Sequence, residues 1–166
     1  MSGISFAESN VDGFFKNSSS YQNVLVTRVI SPDLFELESG EKIKMIGLNA
    51  PKSQRKKVAV KRDQFGFVME EKVTPITSVE NQAFDFVESL LKGKRVRLEF
   101  DVERSDEEHF TLAYVFLING DILINDVILR QGFANLHIHP PNLKYAARLR
   151  DAYKEAYKQR RGFQND

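Results

Sequence analysis

The stretch NVLVTRVISPDLFELESGEKIKMIGL, residues 23–48, contains three short runs of β-forming residues and decides the fold. The first run, residues 24–29, alternates between two faces, and Ser31, Pro32 and Asp33 then turn the chain. Residues 34–37 form the second run, residues 38–41 the hairpin connection, and residues 42–48 the third run. Three strands at this spacing predict an antiparallel meander that twists and can close into a small barrel.

The segment after a long connection carries the signature of a helix. Thr77 and Glu80 have the spacing of a capping box, and Gly93 is expected to end the helix. Between them, apolar residues recur at helical spacing. They are Val79, Ala83, Phe86, Val87, Leu90 and Leu91.

The remaining chain predicts two strands and two more helices. KRVRLEFDV (94–102) and TLAYVFLING (111–120) alternate as strands around the turn SDEEHF, and DILINDVILRQG (121–132) begins extended and becomes helical. Residues 133–142 are a further extended piece, followed by a helix that Gly162 is expected to end. The order predicts an α+β, mainly β fold: a five-stranded OB-type barrel with three helices. An open sheet is the alternative.

Length and composition predict one globular domain. The 166 residues suit a single core, here residues 23–163, preceded by a flexible arm at 1–22 and interrupted by an insert at 51–77. The chain has no cysteine, which excludes disulfides, zinc–thiolate sites and a thiol nucleophile. The formal net charge of +1 means that any surface for a polyanion must be local.

No part of the sequence predicts membrane association. No apolar run approaches the roughly 20 residues of a membrane-spanning helix. Residues 1–23 lack the basic start and apolar stretch of a signal peptide, so the sequence does not decide the cellular compartment. The protein would be extracytoplasmic if a signal peptide has been trimmed.

Three blocks of the sequence carry a family resemblance. FVESLLKGKRVRLEFD (86–101), LAYVFLINGDILINDVILRQGFANL (112–136) and YAARLRDAYKEAYKQRRGF (145–163) resemble consecutive blocks of the staphylococcal nuclease (thermonuclease-like) family. The resemblance covers residues 24–163 in uninterrupted order, and it implies the same OB barrel with three helices.

The resemblance implies a calcium-dependent phosphodiesterase, yet few catalytic positions are kept. The two arginines that stabilise phosphorane charge correspond to Lys44 and Phe110, and the general-base glutamate corresponds to Lys52. A lysine keeps the charge but loses the forked geometry of arginine. Loss of the base and of one arginine would each lower the rate by ~10²–10⁴-fold.

The calcium ligands implied by the resemblance are also depleted. Asp33 corresponds to one metal-binding aspartate, whereas Asn49 replaces the other and Ala50 replaces the threonine. One carboxylate with the ammonium of Lys52 nearby makes a poor site for a divalent ion. We therefore expect no cofactor, and calcium only if a nuclease site has been rebuilt.

Two other groups of residues are candidates for binding. His137 and His139 alternate along an extended segment, so both can face one side, as a stacking or phosphate-contacting pair, a metal site, or simply surface residues. The insert begins with a dense basic cluster that suits phosphates or an acidic protein, or is a solvated loop. Its members are Lys52, Arg55, Lys56, Lys57, Lys61 and Arg62.

Two hypotheses follow. The first is a non-catalytic binding module that uses Lys44, the basic cluster and the histidines to hold single-stranded nucleic acid or an acidic protein. The second is a metal-dependent phosphodiesterase with a site rebuilt from Asp33, Asn49, Lys44 and the histidines. The oligomeric state stays open.

Overall fold

The computed structural model describes residues 18–50, 64–66 and 78–165, and five of its strands form a closed barrel. The barrel strands are β1 (Val24–Ser31), β2 (Leu34–Leu37), β3 (Lys42–Met45), β5 (Arg95–Glu99) and β6 (Thr111–Leu117). Shorter strands are β4 (Gly47–Asn49), β7 (Ile122–Leu123) and β8 (Asn135–His137), and the helices are α1 (Val79–Leu91), α2 (Ile124–Arg130) and α3 (Ala146–Lys158). The predicted five-stranded OB barrel with three helices is confirmed.

The barrel closes through a parallel pairing. The sheet runs in the order β3, β2, β1, β5, β6 with antiparallel neighbours, as the meander predicts. Strand β3 then pairs in parallel with β6, where Ile43 lies opposite Thr111 and Met45 opposite Ala113. Ile43 and Ala113 are fully buried, so this seam is part of the core.

The predicted third strand, residues 42–48, is divided in the structure. Strand β3 ends at Met45, and after Ile46 the chain turns at Gly47, whose φ is +85°. A Cβ at Gly47 would lie 2.5 Å from Leu149 Cδ1, so helix α3 packs directly against this glycine. The turn directs β4 out of the barrel to pair with β8, with Gly47 opposite His137.

Helix α1 begins one residue later than the predicted capping box. Ser78 is the N-cap, and its hydroxyl accepts the N–H of Asn81 at 3.4 Å, whereas Thr77 of the predicted box lies outside the described residues. The predicted end is confirmed, because the helix stops before Gly93, whose φ is +73°. Phe84, which the apolar spacing omitted, is buried on the barrel side.

Helix α2 is joined to the barrel by a buried amide. Asn125 is fully buried, and its Oδ1 accepts the N–H of Val115 at 2.9 Å while its Nδ2 donates to the carbonyl of Ile46 at 2.8 Å. The side chain therefore satisfies two backbone groups, one on β6 and one between β3 and β4, that would otherwise be unpaired.

The end of α3 differs from the sequence-based expectation. The helix ends at Lys158, and the first left-handed residue after it is Arg160 (φ +49°), with Gly162 (φ +55°) following two residues later. Gly162 instead packs so closely on Gly132 that a Cβ on Gly162 would collide with the Gly132 carbonyl. The N–H of Phe163 donates to that carbonyl at 2.9 Å, which fixes the C-terminal turn to the end of α2.

The edges of the domain extend slightly past the predicted boundaries. Ser18–Tyr21 is a short 3-10 helix, and Tyr21 contacts Phe100 edge to face and donates its hydroxyl to Glu41. At the other end Gln164 is buried. Residues 1–17 of the predicted arm and all but 64–66 of the predicted insert lie outside the described residues. Among the described helices, none combines the length and apolar character needed to cross a bilayer.

Candidate functional site

A cleft of about 640 Å³ opens where β3 and β4 separate. Its floor comes from residues 44–48, one wall from the loop of residues 103–108, and the other wall from the segment that contains β8. The charged and polar side chains that line it are Lys44, Glu103, Ser105, Asp106, Glu107, Glu108, His137, His139 and Asn142.

Lys44 lies in the cleft and is paired with a carboxylate. Its Nζ is 3.2 Å from Asp106 Oδ2. The other oxygen of Asp106 accepts the backbone N–H groups of Glu108 at 3.0 Å and Phe110 at 2.9 Å. Asp106 thus both orders its own loop and neutralises Lys44.

Phe110 contributes structure rather than charge. Its side chain is half-buried, and its N–H and carbonyl both bond to Asp106. A phenyl ring has no hydrogen-bond donor, so it does not supply the forked cation that the family position implies.

Asp33 is buried in the turn between β1 and β2, with only 7% of the residue exposed. Its Oδ1 accepts the hydroxyl of Ser31 at 2.7 Å, and its Oδ2 accepts the N–H of Ala50 at 3.3 Å. Its backbone carbonyl accepts the N–H of Met45 at 2.8 Å. The carboxylate therefore connects this turn to the end of β4, and it does not line the cleft.

The other implied metal ligands lie near Asp33 but add no anionic oxygen. Ala50 is buried, and Asn49 is exposed at the end of β4 opposite Asn135. Calcium takes six to eight oxygen ligands, usually including several carboxylates. Within residues 18–50, 64–66 and 78–165, no three His, Asp or Glu side chains are arranged to hold a metal ion. These residues do not fit a calcium site.

The two histidines face the cleft together, as their alternation predicts. The rings of His137 and His139 are 6.4 Å apart between centroids, with 28° between their planes. His139 Nδ1 lies 2.7 Å from the carbonyl of Pro140, so that nitrogen donates and the ring is held in one orientation.

Three further carboxylates line the cleft without a partner. Glu103, Glu107 and Glu108 are exposed, and their side chains make no hydrogen bond or ion pair within the described part of the chain. The backbone of Glu103 is fixed by Asn142, whose Oδ1 accepts its N–H at 2.8 Å and whose Nδ2 donates to its carbonyl at 2.9 Å.

The lining of the cleft is therefore acidic. Counted over the described residues, it holds four carboxylates against one ammonium, a formal charge of −3 with both imidazoles counted as neutral. Sequence reasoning identified Lys44 and the histidines but missed Glu103, Asp106 and Asn142 as lining residues. The acidic run at residues 106–108, interpreted in the sequence only as part of a turn, was the available signal.

A buried phenol anchors the start of the acidic loop. Tyr114 is 1% exposed, and its hydroxyl donates to Asp101 Oδ2 at 2.9 Å. The same oxygen accepts the backbone N–H of Lys144 at 3.0 Å. Burial raises the pKa of Tyr114, and the hydrogen bond to Asp101 raises it further. Strand β6, the loop and the approach to α3 are therefore joined at Asp101.

The structure brings only some of the predicted residues together. Lys44, His137 and His139 share the cleft, whereas Asp33, Asn49 and Ala50 cluster at the turn beside it. The predicted binding residues Lys52, Arg55, Lys56 and Lys57 lie outside the described residues.

Comparisons with known proteins agree with the resemblance in the sequence. Residues 42–166 match the family described as staphylococcal nuclease homologue. The chain is 33% identical over 155 residues to the thermonuclease of Staphylococcus intermedius, covering 90% of this chain and 82% of that protein. It is 29% identical over 145 residues to the thermonuclease of Staphylococcus hyicus, covering 86% and 75%.

Proposed function

The chain belongs to the staphylococcal nuclease homologue family, and on that premise we propose that it is a non-catalytic member that binds single-stranded nucleic acid. The contact is assigned to the basic cluster at residues 52–62, which holds six cations and no carboxylate. The relatives are nucleases by name, so the loss of catalysis needs an argument of its own.

The bonding of Asp33 carries that argument. Both of its carboxylate oxygens accept hydrogen bonds from the protein, from Ser31 and from Ala50. Each oxygen keeps one lone pair for a metal, but a calcium ion would find no second carboxylate in Asn49, and one carboxylate alone is a poor calcium site. Without the ion, the chemistry implied by the resemblance has neither its Lewis acid nor an oriented water.

Charge directs the nucleic acid away from the cleft. A phosphate placed there would face Glu103, Glu107 and Glu108, and the ammonium of Lys44 is already paired. Binding of single strands is driven by cations that follow the backbone and by release of counterions. The basic cluster begins two residues after Ala50 and is the densest concentration of positive charge in the sequence.

The first experiment tests catalysis. The protein is incubated with single-stranded DNA and RNA in calcium, magnesium, manganese or chelator, and the strands are examined on denaturing gels. We expect intact strands in every condition. Metal-dependent cleavage that disappears in Asp33→Ala, with folding verified by circular dichroism, would overturn the proposal and establish the rebuilt phosphodiesterase instead.

The second experiment tests binding. Fluorescence anisotropy of a labelled oligothymidine is measured against protein concentration at several salt concentrations. Lys56→Gln/Lys57→Gln is expected to weaken binding and to reduce the slope of log affinity against log salt by about 1.4, or about 0.7 for each lost phosphate contact.

The matched control is Lys154→Gln/Lys158→Gln, which removes the same charge from exposed positions of α3. It should change affinity far less. Absence of binding, or equal loss in both variants, would contradict the proposal. In that case the acidic protein partner becomes the remaining form of the binding hypothesis, to be pursued by pull-down.

A further inference from the structure

We propose that the acidic cleft is a docking site for a basic peptide segment, which inserts the side chains of arginine or lysine between the loop of residues 103–108 and the histidine wall. The inference concerns residues other than those of the basic cluster and does not depend on the proposed nucleic-acid binding.

Unmatched charge is the first reason. Buried and partly buried charges in this protein are generally paired, as Asp106 is with Lys44 and Asp126 with Arg130. Glu103, Glu107 and Glu108, by contrast, are exposed, have no partner among the described residues, and share one cleft. Their fields add in a concave site with a low-dielectric floor, which favours a cationic ligand and disfavours an anionic one.

Preorganisation is the second reason. The acidic loop is held at its centre by Asp106 and at its start by the paired hydrogen bonds between Asn142 and the backbone of Glu103. A bridge between Ser105 and Thr111 closes the loop. A ligand therefore meets carboxylates on a backbone that is already fixed, which reduces the entropy lost on binding.

The shape and chemistry of the walls favour an organic cation over a metal ion. No three carboxylate or imidazole groups among the described residues are arranged for a metal. The floor is apolar at Ile46, Leu48 and Leu112, and one wall presents the rings of His137 and His139. Arginine and lysine combine an alkyl stem with a cationic head, and the guanidinium group also stacks on planar rings.

The distribution of the carboxylates favours a peptide over a single small cation. The charges extend along the loop from Glu103 to Glu108, and the cleft volume of about 640 Å³ exceeds the space needed by one side chain. An extended segment with repeated cationic residues can satisfy several carboxylates at once. A polyamine shares the cationic chemistry and serves as the competing ligand in the test.

The test measures anisotropy of a fluorescein-labelled nonapeptide of alternating arginine and alanine. A peptide with glutamate in place of arginine is the negative probe, and spermine is the competitor. We expect the arginine peptide to bind, with affinity that falls as salt rises, and the glutamate peptide not to bind. Spermine that binds more tightly than the peptide would overturn the assignment to a peptide.

Charge reversal at the cleft provides the matched comparison. Glu107→Lys/Glu108→Lys should weaken peptide binding on the order of tenfold or more. The control Glu38→Lys/Asp151→Lys makes the same change of net charge at exposed positions outside the cleft and should leave affinity within about twofold. Equal losses in the two variants, or no binding of the arginine peptide to the unmodified chain, would overturn the proposal.

Two readouts keep this test separate from the nucleic-acid proposal. Peptide addition should shift the backbone amide resonances of Leu112 and His137, which line the cleft. Lys56→Gln/Lys57→Gln leaves the cleft residues unchanged, so it should retain peptide binding even where it loses DNA binding. Failure of either proposal can then be distinguished from failure of the other.

Discussion

Helix α2 and the acidic loop of residues 103–108 use polar side chains in opposite ways. In α2 the amide of Asn125 is fully buried, and both ends of it are matched to backbone groups of the barrel. In the loop, Glu103, Glu107 and Glu108 are exposed and have no partner among the described residues, although their backbone is well fixed. Matched polar groups specify the fold, whereas rigidly held unmatched ones are available to a ligand.

The largest effect that would test this comparison comes from Asn125→Ala. The substitution leaves the N–H of Val115 and the carbonyl of Ile46 buried without partners, so we expect a loss of about 3 kcal/mol in the free energy of unfolding. Urea denaturation measures it. The exposed Asn119→Ala is the control, and a similar small loss in both variants would refute the role given to Asn125.

Asp33→Ala should have the next largest effect. Removing the carboxylate unpairs the Ser31 hydroxyl and the Ala50 N–H, and we expect a loss of about 2 kcal/mol. Asp33→Asn keeps one acceptor oxygen and should lose less. Melting curves with calcium and with chelator should coincide for the unmodified chain, since only a bound ion would raise the melting temperature. A calcium-dependent increase would show that Asp33 serves a metal site.

Tyr114→Phe should cost about 1 kcal/mol at neutral pH and should also change the response to alkali. Burial, reinforced by Asp101, raises the pKa of Tyr114 above its unfolded value of about 10. The neutral phenol is therefore favoured by folding, so its contribution is fully present below about pH 10 and is lost as pH rises above that value.

Unfolding curves between pH 8 and 11 check this expectation. The stability of Tyr114→Phe should fall more gently with pH than that of the unmodified chain. Tyr157→Phe, at a position 64% exposed, provides the comparison. Identical slopes for the unmodified chain and Tyr114→Phe would show that Tyr114 does not contribute to the alkaline transition.

The smallest effect on stability is expected for the exposed carboxylates of the acidic loop, which the comparison predicts do not stabilise the fold. Glu107→Gln/Glu108→Gln keeps the backbone N–H of Glu108 on Asp106 and removes two charges that have no partner in the described part of the chain. The free energy of unfolding should change by less than about 0.5 kcal/mol. A loss above about 1 kcal/mol in the free energy of unfolding would mean that these carboxylates stabilise the fold and are not available to a ligand.

Local sequence signals predicted most of the barrel and the helices. The apolar spacing before Gly93 located α1 and its end, because helix formation depends on neighbours three and four residues apart. The division of the third strand was not predictable in this way. It depends on Leu149 packing against Gly47, a contact between residues far apart in the chain.

The candidate site was less predictable than the fold. The alternation of His137 and His139 predicted that both rings lie on one face, since side-chain direction in an extended segment depends only on position along the strand. The pairing of Lys44 with Asp106 joins β3 to a loop 62 residues later, and no pattern within either segment indicates it. The sequence therefore indicated Lys44 as a binding residue, whereas the fold surrounds that lysine with carboxylates.

The parallel seam between β3 and β6 has a consequence for how the chain reaches its native topology. Ile43 and Thr111 are 68 positions apart, so the barrel cannot close during synthesis until most of the chain has left the ribosome. Residues 51–77 lie inside the loop that this pairing closes. Each doubling of a closed loop adds only about 0.6 kcal/mol of entropic penalty, so this segment can change length over evolution while the barrel persists.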